Sequence, residues 1–341
     1  MPPLPANSTQ QGPIDCHVHI LGTGKGGSGC WIRLKNPYHR FLAGIILRQL
    51  GLPANALSGD LESLYIAKLL SFIRSAPLEA AVILAMDSVY DENGKPHDER
   101  GSFFVPNRYV LELSRNHPEF LPGVSIHPAR PDALPELERC LEGGAVLMKC
   151  LPIYHNIDCN NPRYTKFWER MAEAKLPLLA HTGGELSVPV FDKRLADPRT
   201  MTRPLEIGVT VIMAHSGTAS LPFEQDYTEH FGKLLERFPN LYGDNSALNT
   251  PFRSRHLSRL LREPYSSRMV HGSDLPIPIS ATWAFLRGLI SWEEMKECRH
   301  EQNPLTRDIL LKKALGFGPE SFTRLRTLLR QAPAPQHSNE R

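Results

Sequence analysis

Eight short apolar runs, alternating for most of the chain with stretches of helical periodicity, predict an α/β protein: a (β/α)8 TIM barrel, distorted and extended by extra C-terminal helices. Two further observations support closure. The runs are apolar on both faces, as strands of a helix-covered parallel sheet are. Polar side chains suited to chemistry gather where the runs end, the rim at which such barrels carry their sites. The chain has 341 residues, 41% hydrophobic and 22% charged, the make-up of a globular protein able to bury a core.

The first run, 14–20, reads Ile-Asp-Cys-His-Val-His-Ile. Alternation along a strand sends every second side chain to one face, so His17 and His19 point together, as a strand presents two metal ligands. Fourteen histidines occur in the chain, and that number yields on the order of one His-x-His pair by chance. The pair therefore needs support from elsewhere. Residues 22–29 contain Gly-x-Gly-x-x-Gly after a strand, but no helix start at the last glycines and no acidic residue about twenty positions on. They read as a flexible loop over a site, with Trp31, Arg33 and Lys35 placed to face a substrate. Helices follow over 38–50 and 60–75; in the second, Asp60 is the N-cap and Leu61, Leu64, Tyr65, Leu69, Phe72 and Ile73 form the apolar face.

Strands are then expected over 80–85, 121–126, 146–150, 176–180, 210–214, 241–244 and 268–272, with helices over 106–117, 132–142, 162–175, 228–238 and 252–262. The helix over 162–175 has Tyr164, Phe167, Trp168, Met171 and Ala172 on one side, and the strands are followed by polar or glycine-rich loops. Asn303-Pro304 makes a good cap and first helical residue for helices over 304–330. Residues 13–330 read as one metal-dependent barrel domain, 1–12 as a flexible N-terminus and 331–341 as a disordered tail.

Composition excludes several classes of function. No run approaches the roughly 20 apolar residues of a spanning helix, and the polar start of the chain lacks a signal-peptide core, so a cytoplasmic protein without membrane association is expected. A net charge of +3 without a dense basic block does not suggest nucleic-acid binding. The six cysteines contain no Cys-x-x-Cys pair and fit reduced thiols, with Cys16 and Cys150 as buried small hydrophobes.

The strand ends carry an ordered set: His17 and His19 on the first, His127 after the third, Lys149 on the fourth, His181 through Glu185 on the fifth, His215 on the sixth, and His271 through Asp274 on the eighth. From Asp15 to Pro276 this order resembles the amidohydrolase superfamily. It is most similar to the amidohydrolase-related branch of metal-dependent hydrolases and aminocarboxymuconate-semialdehyde-type decarboxylases. The resemblance implies that His17, His19, His181 and Asp274 are metal ligands and that Asp274 also moves protons. It implies that His215 polarises substrate or water, or ligates a second metal in a binuclear site, and that Lys149 bridges two metals if it is carboxylated. A mainly imidazole set favours Zn²⁺, one ion or two, with Mn²⁺ or another divalent metal as the alternative. The implied activity is hydrolysis of a small-molecule amide, ester or lactone by metal-activated water. The alternatives are non-oxidative decarboxylation of a small carboxylated substrate, or a barrel that only binds. A homodimer is a further implication of the family.

Other residues have plainer readings. His127-Pro128 also makes a sensible strand exit, and Glu185, Asn245 and Ser246 are loop positions that can contact substrate with no mechanism to single them out. His271 alternates away from the pocket if Asp274 faces it. Arg33, Arg130 and Arg203 suit carboxylate binding by their chemistry but are first of all solvated charges.

Overall fold

The structure, a computed structural model, describes residues 12–91 and 93–331. The expectations for the N-terminus and the tail fall, apart from Gly12 and Gln331, outside those residues. The strands are β1 (Ile14–His19), β2 (Trp31–Ile32), β3 (Ala80–Leu84), β4 (Phe103–Phe104), β5 (Phe120–Val124), β6 (Leu147–Cys150), β7 (Leu178–His181), β8 (Val211–Ala214), β9 (Leu241–Asp244) and β10 (Met269–Val270). Eight form one sheet in the order β1-β3-β5-β6-β7-β8-β9-β10, every pair parallel. The ends of the sheet meet through Cys16 N to His271 O (2.9 Å), His19 N to Leu275 O (2.8 Å) and Asp274 N to His17 O (2.8 Å). The barrel is thus completed not by β10, which is two residues long, but by the irregular segment after it.

The predicted strands fall where they were expected, 241–244 without change and the others with ends moved by a residue or two, and the eighth is shortened from five residues to two. Ile14, Cys16, Val82, Leu147, Leu179 and Ile212 fill the barrel interior, and Leu325 and Leu329 from the C-terminal end of the described chain pack against the same cluster. The interior is packed, so chemistry is confined to the mouth. In β1 the pairing register with β3 slips between Asp15 and Val18. This bulge decides where the histidines point. Ile14 and Cys16 face the interior and Val18 faces the outer layer, leaving His17 and His19 at the rim. A regular strand carrying Ile14 and Cys16 inward would have turned both histidines away.

The expected helices are present as Pro37–Leu50, Leu61–Ser75, Asn107–Asn116, Ala133–Glu142, Thr165–Glu173 and Thr228–Arg237. Asp60 caps the second, accepting from Ser63 N at 3.1 Å. One residue departs from its predicted face: Leu64 is exposed, while Glu62 is buried in its place. Glu62 accepts from Gly24 N, Ser28 Oγ and Thr23 Oγ1. The glycine-rich loop is therefore closed around a carboxylate, a negative charge that opposes a phosphate there. Expected as one helix, 252–262 is a 3-10 turn, Arg253–His256, followed by a short helix, Leu257–Leu260.

Two features were not expected. β2 and β4, from the loops that follow β1 and β3, pair antiparallel beside the mouth, Trp31 with Phe104 and Ile32 with Phe103. The helix Pro304–Ala314, capped by Asn303 as predicted, sends Lys312 Nζ to Gly272 O (2.6 Å) and to Asp308. That buried pair ties the C-terminal helices to the segment carrying Asp274. Lys312→Met leaves Asp308 buried and uncompensated, so a loss of about 3–5 kcal/mol in unfolding free energy is expected by chemical denaturation. A loss below about 1 kcal/mol would show that the pair does not anchor the segment.

All six cysteines are free and buried. No described helix is long and apolar enough to cross a membrane.

Candidate active site

At the mouth of the barrel His17 Nε2 lies 3.2 Å from His19 Nε2. Asp274 Oδ1 is 3.2 Å from His17 Nε2 and 3.3 Å from His19 Nε2, and Lys149 Nζ is 2.9 Å from His17 Nε2. One ligand atom from each of His17, His19 and Asp274 lies within 4.8 Å of the other two. Two imidazole nitrogens and a carboxylate oxygen converging this closely suit a divalent cation, and the donor set is one that zinc accepts.

The hydrogen bonds behind the His17 and His215 rings show that their Nε2 atoms are available. His17 Nδ1 donates to Asp244 Oδ2 at 2.8 Å. Ser246 Oγ donates to Asp244 Oδ1 at 2.6 Å, and His215 Nδ1 lies 3.1 Å from the Ser246 carbonyl and 2.9 Å from its hydroxyl. The network assigns the proton of both rings to Nδ1, which leaves Nε2 of His17 and His215 with a lone pair. Burial holds the His17 and His215 imidazoles well below the usual histidine range, and the nearby charges of Lys149 and Arg253 respectively act in the same direction. Both rings are neutral, as a ligand or a base must be.

Asp274 divides its oxygens. Oδ1 faces His17 and His19, whereas Oδ2 lies 3.9 Å from His215 Nε2. Burial opposes ionisation of Asp274, but the hydrogen bond from the adjoining His19 ring and the charge of Lys149 act against it, and the carboxyl lies well below the usual range. Burial pushes the Lys149 amine down from its ordinary value. Two of these residues also sit in strained backbone: φ is +61° at Asp274 and +59° at His215, with +52° at the adjacent Ser216. A non-glycine residue in this region costs on the order of 1–2 kcal/mol. Asp244 Oδ1, accepting from His215 N at 2.7 Å, helps hold that turn, and Asp15 Oδ1 holds His17 N and Ser273 N, each at 2.9 Å.

The remaining expected residues separate into two groups. His181 stacks edge-on against His215 with ring centroids 4.9 Å apart. Its Nε2 is directed at Gly184 O (3.2 Å) and Glu185 Oε2 (3.5 Å), so the structure places it beside His215 and outside the trio of converging ligands. Arg33 and Glu185 line the cavity above the site, together with His19, Lys149, His181 and Asp274.

Trp31, His127 and Asn245 do not line it. Trp31 stacks on Phe104 and lies under the Arg33 guanidinium. His127 belongs to a separate buried network: its Nδ1 accepts from Ala129 N, its Nε2 donates to His155 O, and its backbone N–H donates to Asp87. With both ring nitrogens engaged it has nothing left for a substrate. Arg130 pairs with Asp87 and Asp132 in that network, and Arg203 donates to Asn160 O. Asn245 Oδ1 accepts from Gly272 N at 3.2 Å, holding the segment before Asp274. His271, buried against Phe322, faces away as expected.

Three residues escaped the sequence reading. Asp244 and Asp15 orient the ligands, and buried Arg253 donates to Gly184 O and to Thr218 O, joining the loops that follow β7 and β8. Asp244 had a signal, a carboxylate ending the strand Leu-Tyr-Gly-Asp. Asp244→Asn keeps one acceptor oxygen where His17 Nδ1, His215 N, Ser246 N and Ser246 Oγ all donate. The expected result is a 10- to 100-fold loss of affinity for zinc, measured by competition with a chelator. Unchanged affinity would remove Asp244 from the support of His17.

Among solved structures the chain is similar to an uncharacterized TIM-barrel protein from Bordetella bronchiseptica, with 19% identity, a TM-score of 0.59, and coverage of 93% of this chain and 98% of that one. It is also similar to amidohydrolase 2 from Bifidobacterium longum subsp. infantis, with 16% identity, a TM-score of 0.46, and coverage of 91% and 100%. No curated protein matches the sequence. Residues 14–302, most of the chain, match the family model described as Amidohydrolase, and on that ground the chain belongs to the amidohydrolase family and is an enzyme of that superfamily.

Proposed function

We propose that this enzyme hydrolyses an amide, ester or lactone bond of a small molecule with the help of one divalent metal ion, zinc by the chemistry of its donors. One observation carries the reading: the ligand atoms of His17, His19 and Asp274 converge within 4.8 Å directly beneath a cavity. His17 Nε2, His19 Nε2 and Asp274 Oδ1 would hold the ion, with Lys149 and His181 flanking it. When bound, such an ion lowers the pKa of water toward neutrality and polarises a carbonyl.

The chain's own residues supply the rest. Asp274 Oδ2, ionised and turned toward His215, takes a proton from the attacking water and returns it to the leaving group. His215 Nε2, fixed from behind by Ser246 and bearing a lone pair, points to the same space and accepts a hydrogen bond there, orienting the attacking water toward the carbonyl. Apolar walls around the cavity limit the access of bulk water, so these contacts act in a medium of low dielectric constant. The hydrolase reading and the decarboxylase alternative within the amidohydrolase-related branch are separated by the same experiment. The zinc-loaded protein is offered panels of lactones, esters, amides and carboxylated aromatics, with metal content measured in parallel. Hydrolysis that is lost on chelation and restored by zinc supports the proposal. Release of CO2 without hydrolysis would move the enzyme to decarboxylation, and turnover unaffected by chelation would overturn the metal reading.

A further inference from the structure

The cavity above the site is mostly apolar, and apart from Arg33, His39, Ser102 and Ser187 its polar side chains gather at one end. His19, Lys149, His181, Glu185, His215 and Asp274 form its floor. The facing wall is built by the helix Pro37–Leu50, which contributes Leu42, Ala43, Ile46 and Leu47. Ile32 of β2 and Phe103 of β4 continue that wall, and Leu57, Leu61, Leu151 and Val188 close it. Its charged groups are few. Arg33 is engaged over the Trp31 ring, 4.0 Å from the centroid, and donates to Asp98 O.

Within the helix only Leu47 and Leu50 are buried in the fold. Leu42, Ala43 and Ile46 are half-buried and line the cavity. Apolar side chains in that position gain little for the fold and are hydrated at a cost unless an apolar group displaces the water. The cavity volume is about 160 Å³, close to that of apolar cavities that accept a benzene-sized guest.

We propose that the substrate carries, next to its scissile group, an apolar moiety of about six carbons, an aromatic ring or a short acyl chain, seated against Leu42, Ile46 and Phe103. The proposal rests on the hydrolase reading for the position of the scissile group, and on the wall for the chemistry of the rest. Highly hydroxylated or multiply charged bodies are disfavoured, because beyond the floor only Arg33, His39, Ser102 and Ser187 could replace their hydrogen bonds to water.

The test measures binding by calorimetry to the intact, zinc-loaded protein, using n-alkyl hydroxamates from acetohydroxamate to octanohydroxamate, whose head group chelates zinc. A parallel series of primary n-alkanols needs no metal. Affinity is expected to rise about two- to fourfold per methylene in both series and to level off near six carbons. In the double variant Leu42→Asn/Ile46→Asn the rise is expected to shrink to less than about 1.5-fold per methylene. Acetohydroxamate binding with no dependence on chain length in either series overturns the apolar subsite and leaves the metal reading intact. Hydroxamates that fail to bind while alkanols keep their slope overturn the metal reading and leave the subsite standing. If the double variant does not fold, the wild-type slopes alone decide.

Discussion

Replacing His17 and His19 together with alanine is expected to take bound zinc from about one ion per chain to less than about a tenth while the barrel stays folded. The variant deletes two of the three ligand atoms that converge at the mouth and leaves Asp274 as the only member of the trio. A single carboxylate beside an amine does not hold zinc at the concentrations that two imidazoles and a carboxylate do. The structural cost includes the acceptor that His17 Nε2 gives the buried Lys149 Nζ at 2.9 Å and the hydrogen bond from His17 Nδ1 to Asp244. Losing that donor leaves a buried carboxylate oxygen short of one partner, on the order of 1–3 kcal/mol. That is tolerable for a barrel of this size, and circular dichroism should show the wild-type spectrum. Metal analysis after dialysis against a chelator checks the main point, and stoichiometric zinc in the double variant would overturn the site.

The two histidines were legible because a strand's period of two is written in the sequence. Much of what makes them a site was not. Their direction depends on a bulge between Asp15 and Val18, and a bulge has no periodic signature. Their tautomers depend on Asp244, more than two hundred residues away along the chain but 2.8 Å from His17. His215 and Asp274 could be placed at strand ends in sequence, yet their left-handed backbone could not, since neither is a glycine. His181 shows the opposite case: its place in the chain order is right, but its ring is drawn to Gly184 O and Glu185 rather than to the trio.

His127 was read from its position at a strand exit. The residues that satisfy it, His155 at the end of the one-turn helix Pro152–His155 and Ala129 in a turn, stand in short irregular stretches whose geometry no pattern reveals. Leu64 was set on the buried face by apolar character alone. Glu62 took a place there because the loop 22–29 needed an acceptor for its amides, a long-range requirement that overrides hydropathy.

Asp274→Asn is expected to lower kcat by about 10³-fold, within the range ascribed to general acid–base groups, while zinc affinity falls by no more than roughly 100-fold. The split follows from the two oxygens. An amide retains a carbonyl oxygen that can stand where Oδ1 faces His17 and His19. Its nitrogen takes the place of Oδ2 toward His215 and has no lone pair to receive a proton. The backbone should not object. Asp274 has φ of +61°, and asparagine is among the few side chains at ease in that region. The substitution therefore separates holding the ion from moving the proton, which alanine would not. Activity must be compared at saturating zinc, so that a weaker ion does not masquerade as slower chemistry. Turnover undiminished under that condition would remove Asp274 Oδ2 from the proton path and shift the role to His215 Nε2, the nearest neutral base.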